Sequence, residues 1–123
     1  MAVVTIDARD KTPIYAQLER GLRAAMATAR LKPGDQLPTV RQLAVELRIN
    51  ANTVARVYAD LERAGAIETR RGVGSFVAAT PDQARPPQEH EKRLRAFVTR
   101  VLSEAGANGF SIEDVVKGLR EDT

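Results

Sequence analysis

The feature that most narrows the fold is the run "TVRQLAVELRINANTVARVYADLERAG", residues 39–65. Val40, Leu43, Ala44 and Leu47 recur at helical spacing, and so do Val54, Val57, Tyr58 and Leu61. Only "RIN" separates the two patterns. Thr39-x-x-Gln42 is a capping-box pattern that starts the first helix. Asn50 suits the N-cap of the second, and Gly65 its C′ position. Two amphipathic helices on so short a tether must pack against each other. The second opens on a polar turn, so the pair reads as a helix-turn-helix.

The flanks extend this unit. Thr12-Pro13 opens an earlier helix, because proline costs nothing in a first turn. Ile14, Leu18, Leu22, Ala25 and Met26 line one of its faces, and Pro33-Gly34 marks the turn that follows. After Gly65, "AIETRRGVGSFVAA" alternates apolar and polar residues on both sides of a glycine-rich tip. That pattern is a β-hairpin, and a hairpin directly after a helix-turn-helix is a wing. "VVTI" near the start is a candidate edge strand.

Pro81, Pro86 and Pro87 mark a linker. The expected organisation is a winged-helix domain over 1–79, a linker over 80–88 and a helical tail over 89–123. In the tail Leu94, Phe97, Val98, Val101, Leu102 and Ala105 share one helical face. "GANG" is a turn, Ser111-x-x-Asp114 caps a last helix, and Ile112, Val115, Val116 and Leu119 line it. A hairpin this small cannot bury both stripes against itself. A second copy of the chain is the simplest partner, which makes these nine stripe residues other than Ala105 the expected dimerisation set. Folding back onto the winged helix is the other option. The fold class is therefore mainly α with a small β-hairpin: a winged helix-turn-helix plus a two-helix dimerisation hairpin.

Charge and composition narrow the function. Residues 1–80 hold 12 Lys and Arg against 8 Asp and Glu, whereas residues 81–123 hold 7 against 8. The positive excess thus sits on the winged-helix part and favours a polyanion there. The absence of cysteine excludes disulfides, thiolate metal sites and cysteine nucleophiles. No signal peptide and no membrane-spanning run is visible, so a cytoplasmic protein without membrane contact is expected. No metal-ligand spacing, cofactor motif or nucleophile is present, and the only histidine, His90, reads as a solvated linker residue beside the prolines. An enzyme is not expected.

The polar side of the 51–63 helix carries the chemistry. A helix fits the DNA major groove, and its first turns meet base edges. Asn bonds adenine, Arg bonds guanine, and Thr meets phosphate or a thymine methyl. Asn50, Asn52, Thr53 and Arg56 supply those types. Capping and a solvated face are the plainer use of the same residues. Thr39 and Arg41 stand at the start of the preceding helix, where free N–H groups attract phosphate; a surface ion pair with Asp35 is the alternative for Arg41. Arg70 and Arg71 precede Gly72 and Gly74 at the wing tip, a composition suited to a narrow minor groove and equally to an ordinary hairpin turn.

The motifs "PIYAQL", "LKPGDQLPTVRQLA", "NANTVARVYADLE" and "RRGVGSFV", spread over residues 13–77, resemble the winged-helix domain of GntR-family transcription regulators. The short two-helix tail resembles the YtrA-type subgroup, in which such a tail mediates dimerisation. The resemblance implies a homodimeric repressor on a palindromic DNA operator. It implies contacts from Arg41, Asn50, Asn52, Thr53, Arg71 and Gly72, and matches Arg56 to a commonly basic position. The chain departs from the family at Ala51, Ala55 and Val73, so an operator sequence does not carry over. The short tail leaves little room for an enclosed effector pocket, and a possible small-molecule effector stays unidentified from the sequence. A winged helix used for protein docking is the alternative class. A docking face would present apolar anchors, whereas this one presents Asn, Thr, Arg and Gly.

Overall fold

A computed structural model describes residues 3–78 and 87–122. The chain divides into two compact units, Met1–Pro81 and Asp82–Thr123. In the first unit the order is α1 (Ile14–Ala27), α2 (Val40–Leu47), α3 (Ala51–Arg63), β1 (Ile67–Arg70) and β2 (Gly74–Val77). The second holds α4 (Pro87–Ala107) and α5 (Ile112–Asp122).

The three helices of the first unit enclose one aliphatic core. Leu18, Leu22, Leu31, Leu43, Val54, Val57 and Leu61 are fully buried in it. α3 packs on both α1 and α2 and leads into β1. Local signals set the helix ends. Thr39 Oγ1 accepts from the Gln42 backbone N–H at 3.1 Å, and Gln42 Oε1 accepts from the Thr39 N–H at 2.9 Å, a complete capping box. α3 stops in a Schellman turn: Gly65 at φ +80° donates to Glu62 and Ala66 donates to Leu61. Between α2 and α3, the left-handed position falls on Arg48 at φ +57°. Pro13 takes the N-cap of α1, one residue before the first helical turn.

"VVTI" forms no strand. Val3 and Val4 are instead buried side chains of the core. Gly21 makes room for Val4: a Cβ on it would lie 2.5 Å from Val4 Cγ1. The N-terminal segment therefore closes the core with side chains, without a backbone ladder.

β1 and β2 pair antiparallel, from Ile67 opposite Val77 to Arg70 opposite Gly74. The segment 34–37 lines the other edge of β2. Leu37 N–H donates to Ser75 O at 2.8 Å, Val77 N–H to Asp35 O at 2.8 Å, and Gly34 N–H to Val77 O at 2.9 Å. β2 is thus bonded on both sides, and the hairpin is fastened to the helical body.

In the second unit, α4 takes in Pro87 and Gln88, which the sequence reading gave to the linker; the rest of that linker, residues 80–86, lies outside the described residues. His90 is correspondingly an exposed helical residue and no part of a linker. Gly109 at φ +78° turns the chain, and Phe110 N–H donates to Ala105 O at 2.9 Å. Ser111 and Asp114 form the reciprocal cap of α5, at 3.1 and 2.9 Å. No helix among the described residues is long and apolar enough to cross a membrane.

Candidate nucleic-acid interface

Three elements carry the candidate residues: the start of α2, the first turns of α3 and the tip of the hairpin. α3 buries Val54, Val57, Tyr58 and Leu61. That leaves Asn52, Ala55 and Arg56 exposed and Thr53 half-buried. Asn50 Oδ1 caps the helix by accepting from Asn52 N–H at 2.8 Å, and its side-chain N–H donors have no hydrogen-bond partner among the described residues. Thr39 is likewise committed as a cap. Its hydroxyl hydrogen remains available for a phosphate oxygen.

Arg41 is exposed in the first turn of α2. Among the described residues no acid pairs with it, and the Asp35 carboxylate instead accepts from Lys32 N–H at 2.8 Å. The two wing arginines differ. Arg70 lies over the Phe76 ring at 4.2 Å, while Arg71 is exposed at the tip. The two glycines differ as well. Gly72, at φ +75°, has open space where a Cβ would stand, so only its left-handed backbone calls for glycine. Gly74 meets Gln36: a Cβ there would lie 2.6 Å from Gln36 Nε2.

One short segment holds these three elements together. Gln36 Nε2 donates to Val73 O at the wing tip at 3.0 Å. Leu37 is buried in the core. Pro38 O accepts from the Tyr58 hydroxyl of α3 at 2.7 Å. Thr39 then caps α2. Residues 36–39 thus touch the wing, α3 and α2 in succession. Gln36 and the Tyr58 hydroxyl were not legible as positioning groups in the sequence, because neither bond has a local signature. Burial pushes the Tyr58 hydroxyl up to about 12, from an ordinary 10.0, so it keeps its proton and its donor role to higher pH than an exposed tyrosine.

Amide donors, the Arg41 and Arg71 guanidinium groups and a glycine tip are the residue types that suit an anionic, hydrogen-bonding partner. Among the described residues no His, Cys, Asp and Glu group could hold a metal ion. Residues 14–77 match the family of bacterial regulatory proteins named gntR.

The chain belongs to the GntR family. This GntR-family protein is a DNA-binding transcription regulator with a winged-helix domain. It is 33% identical over 111 residues to the HTH-type transcriptional regulator YhcF of Bacillus subtilis (strain 168), with 90% of each chain covered. It is 43% identical over 76 residues to the HTH-type transcriptional repressor YtrA of the same organism, covering 62% of this chain and 58% of YtrA. Among solved structures it resembles YtrA from Sulfolobus acidocaldarius, a GntR-family transcription factor. The TM-score is 0.61 and the identity 31%, over 83% of this chain and 99% of that one.

The tail residues belong to the second unit. Leu94, Phe97, Val98, Leu102, Ile112, Val116 and Leu119 are exposed, and Val101 and Val115 are half-buried. Ala105 is the one tail residue buried among those described. Phe110, 59% exposed at the turn, belongs to the same apolar set, although its place in "GANGF" hid it from the periodicity.

Proposed function

We propose that this regulator is a repressor that binds a palindromic operator as a homodimer. Each α3 enters a major groove with Asn50, Asn52, Thr53 and Arg56 toward base edges and phosphates. Thr39 and Arg41 at the start of α2 meet the phosphate backbone. Arg71, with Gly72 and Gly74, brings the wing into the adjoining minor groove. The observation that carries this reading is the bridge from Gln36 to Thr39, which ties wing tip, α3 and α2 to one short segment. The repressor reading leans on the similarity to YtrA of Bacillus subtilis.

The homodimer reading rests on the tail, where seven large apolar side chains of the expected set are exposed on a two-helix unit. Soluble proteins seldom leave such faces open to water. A two-fold partner is the commonest occupant, and it matches a palindrome by sharing its symmetry.

Selection of bound sites from random duplexes tests the proposal. The expected product is an inverted repeat with half-sites about one helical turn, roughly 10 bp, apart. Recovery of a single half-site, or of no consensus at all, would reject the dimeric operator.

A further inference from the structure

The Arg56 guanidinium carbon lies 4.0 Å from the centre of the Tyr15 ring. Tyr15 is in the first turn of α1, 39% exposed, and outside the core cluster. Asp60, one turn beyond Arg56 on the same helix face, would be its ordinary ion-pair partner. That carboxylate is engaged by Arg63 instead. Arg56 is thus held by a ring, and no acid neutralises it among the described residues.

The difference matters for a group that meets DNA. A carboxylate partner would occupy guanidinium N–H donors and cancel the charge. A ring face does neither, because it carries no formal charge and no carboxylate oxygen to take up the guanidinium donors. It removes part of the rotamer freedom that a long side chain would otherwise lose on binding. No hydrogen bond engages the Tyr15 hydroxyl among the described residues, so the ring is the part in use.

We propose that Tyr15 is a positioning residue for operator recognition: its ring, supplied by α1, pre-orders Arg56 of α3 with charge and donors intact. The inference rests on the reading of Arg56 as a DNA contact. It makes α1, which carries none of the direct contacts proposed above, a determinant of affinity.

The test uses the full chain and the duplex recovered by site selection, with affinity read by fluorescence anisotropy. Tyr15→Leu is expected to weaken binding about three- to tenfold, while Tyr15→Phe stays within twofold of the parent, on the order of the smallest ring effect. In an Arg56→Ala background, Tyr15→Leu is expected to add nothing. Thermal melting checks that both Tyr15 variants stay folded. Parent-like affinity for Tyr15→Leu would overturn the proposal, as would full additivity with Arg56→Ala. A Tyr15→Phe defect as large as that of Tyr15→Leu would also overturn it, assigning the effect to the hydroxyl. If Arg56→Ala itself binds like the parent, the DNA-contact reading of Arg56 fails and takes this inference with it. If Arg56→Ala is weak and Tyr15→Leu is not, only the positioning role fails.

Discussion

The Gln36 side-chain amide and the Val73 carbonyl meet at 3.0 Å, 37 residues apart in the chain. That bond, with the close approach of Gln36 to Gly74, fixes the height of the wing tip against the segment that caps α2. Gln36→Ala should cost the fold little, about 0.5–1 kcal/mol, since the bond is exposed to water. It should nevertheless weaken operator binding several-fold by loosening the tip that carries Arg71. Parallel denaturation and anisotropy titrations separate the two effects. Equal binding by parent and variant would show that the wing needs no such tether.

Gly21 and Val4 form a second interlocked pair. Gly21→Ala places a Cβ 2.5 Å from Val4 Cγ1, so the Val4 side chain must shift in the core. The overpacking cost of about 1–3 kcal/mol outweighs the helix-propensity gain of about 1 kcal/mol. In a Val4→Ala background the same change should be nearly neutral or stabilising. Urea midpoints for the four proteins of this cycle check the coupling.

Alkaline stability should depend on Tyr58. Its hydroxyl titrates at about 12 in the folded chain, against an ordinary 10.0. The contribution is complete below pH 10, where both states hold the proton. It falls as the pH rises through the window from 10 to about 12, because the unfolded chain releases the proton first. Tyr58→Phe should flatten that decline. It should also lower neutral-pH stability by about 1–2 kcal/mol, because the Pro38 carbonyl loses its donor. Denaturant midpoints followed against pH give both numbers.

Arg41 and Asn52 should fail in different ways. Arg41→Ala should remove the proposed phosphate contact, so binding should weaken on every duplex, with the salt slope reduced by about 1. Asn52→Ala should cost about 1–3 kcal/mol on the preferred duplex and relax choice at one base position. Gel shifts with a set of single-base operator variants distinguish them. Were both losses uniform across the set, Asn52 would be no reader of bases.

The tail prediction concerns assembly. Phe97→Asp with Val98→Asp places charge on an exposed apolar face and should yield a monomer in sedimentation. The melting of the first unit, which has its own core, should be unchanged. Operator affinity should drop by about a hundredfold or more as the second half-site contact becomes bimolecular. A dimer that survives both substitutions would move the interface elsewhere.

Much of the first unit was written in short-range signals. The α2 and α3 stripes, the Thr39 box and the Asn50 cap each involve residues within one or two turns, so pattern and partner are visible together. The "VVTI" segment misled because a β-branched run signals burial, and burial alone does not distinguish a strand from side chains plugged into a core. The early start of α4 is readable in principle: Pro87 is the first helical residue, where its missing N–H is harmless, although three prolines in so short a stretch read as breakers. Tyr15, Gln36 and Tyr58 illustrate what periodicity does not carry. Their partners lie 41, 37 and 20 residues away, and only the packed chain brings them into contact.

The uncovered stripe on α4 and α5 has a consequence for how such a regulator responds to its own abundance. On the homodimer proposed above, two copies are required for full grip, and promoter occupancy in the dilute regime would scale with the square of gene dosage. Halving synthesis would then release the promoter more sharply than for a chain that acted singly, and the tail would set the steepness of the response while the winged helix set its address.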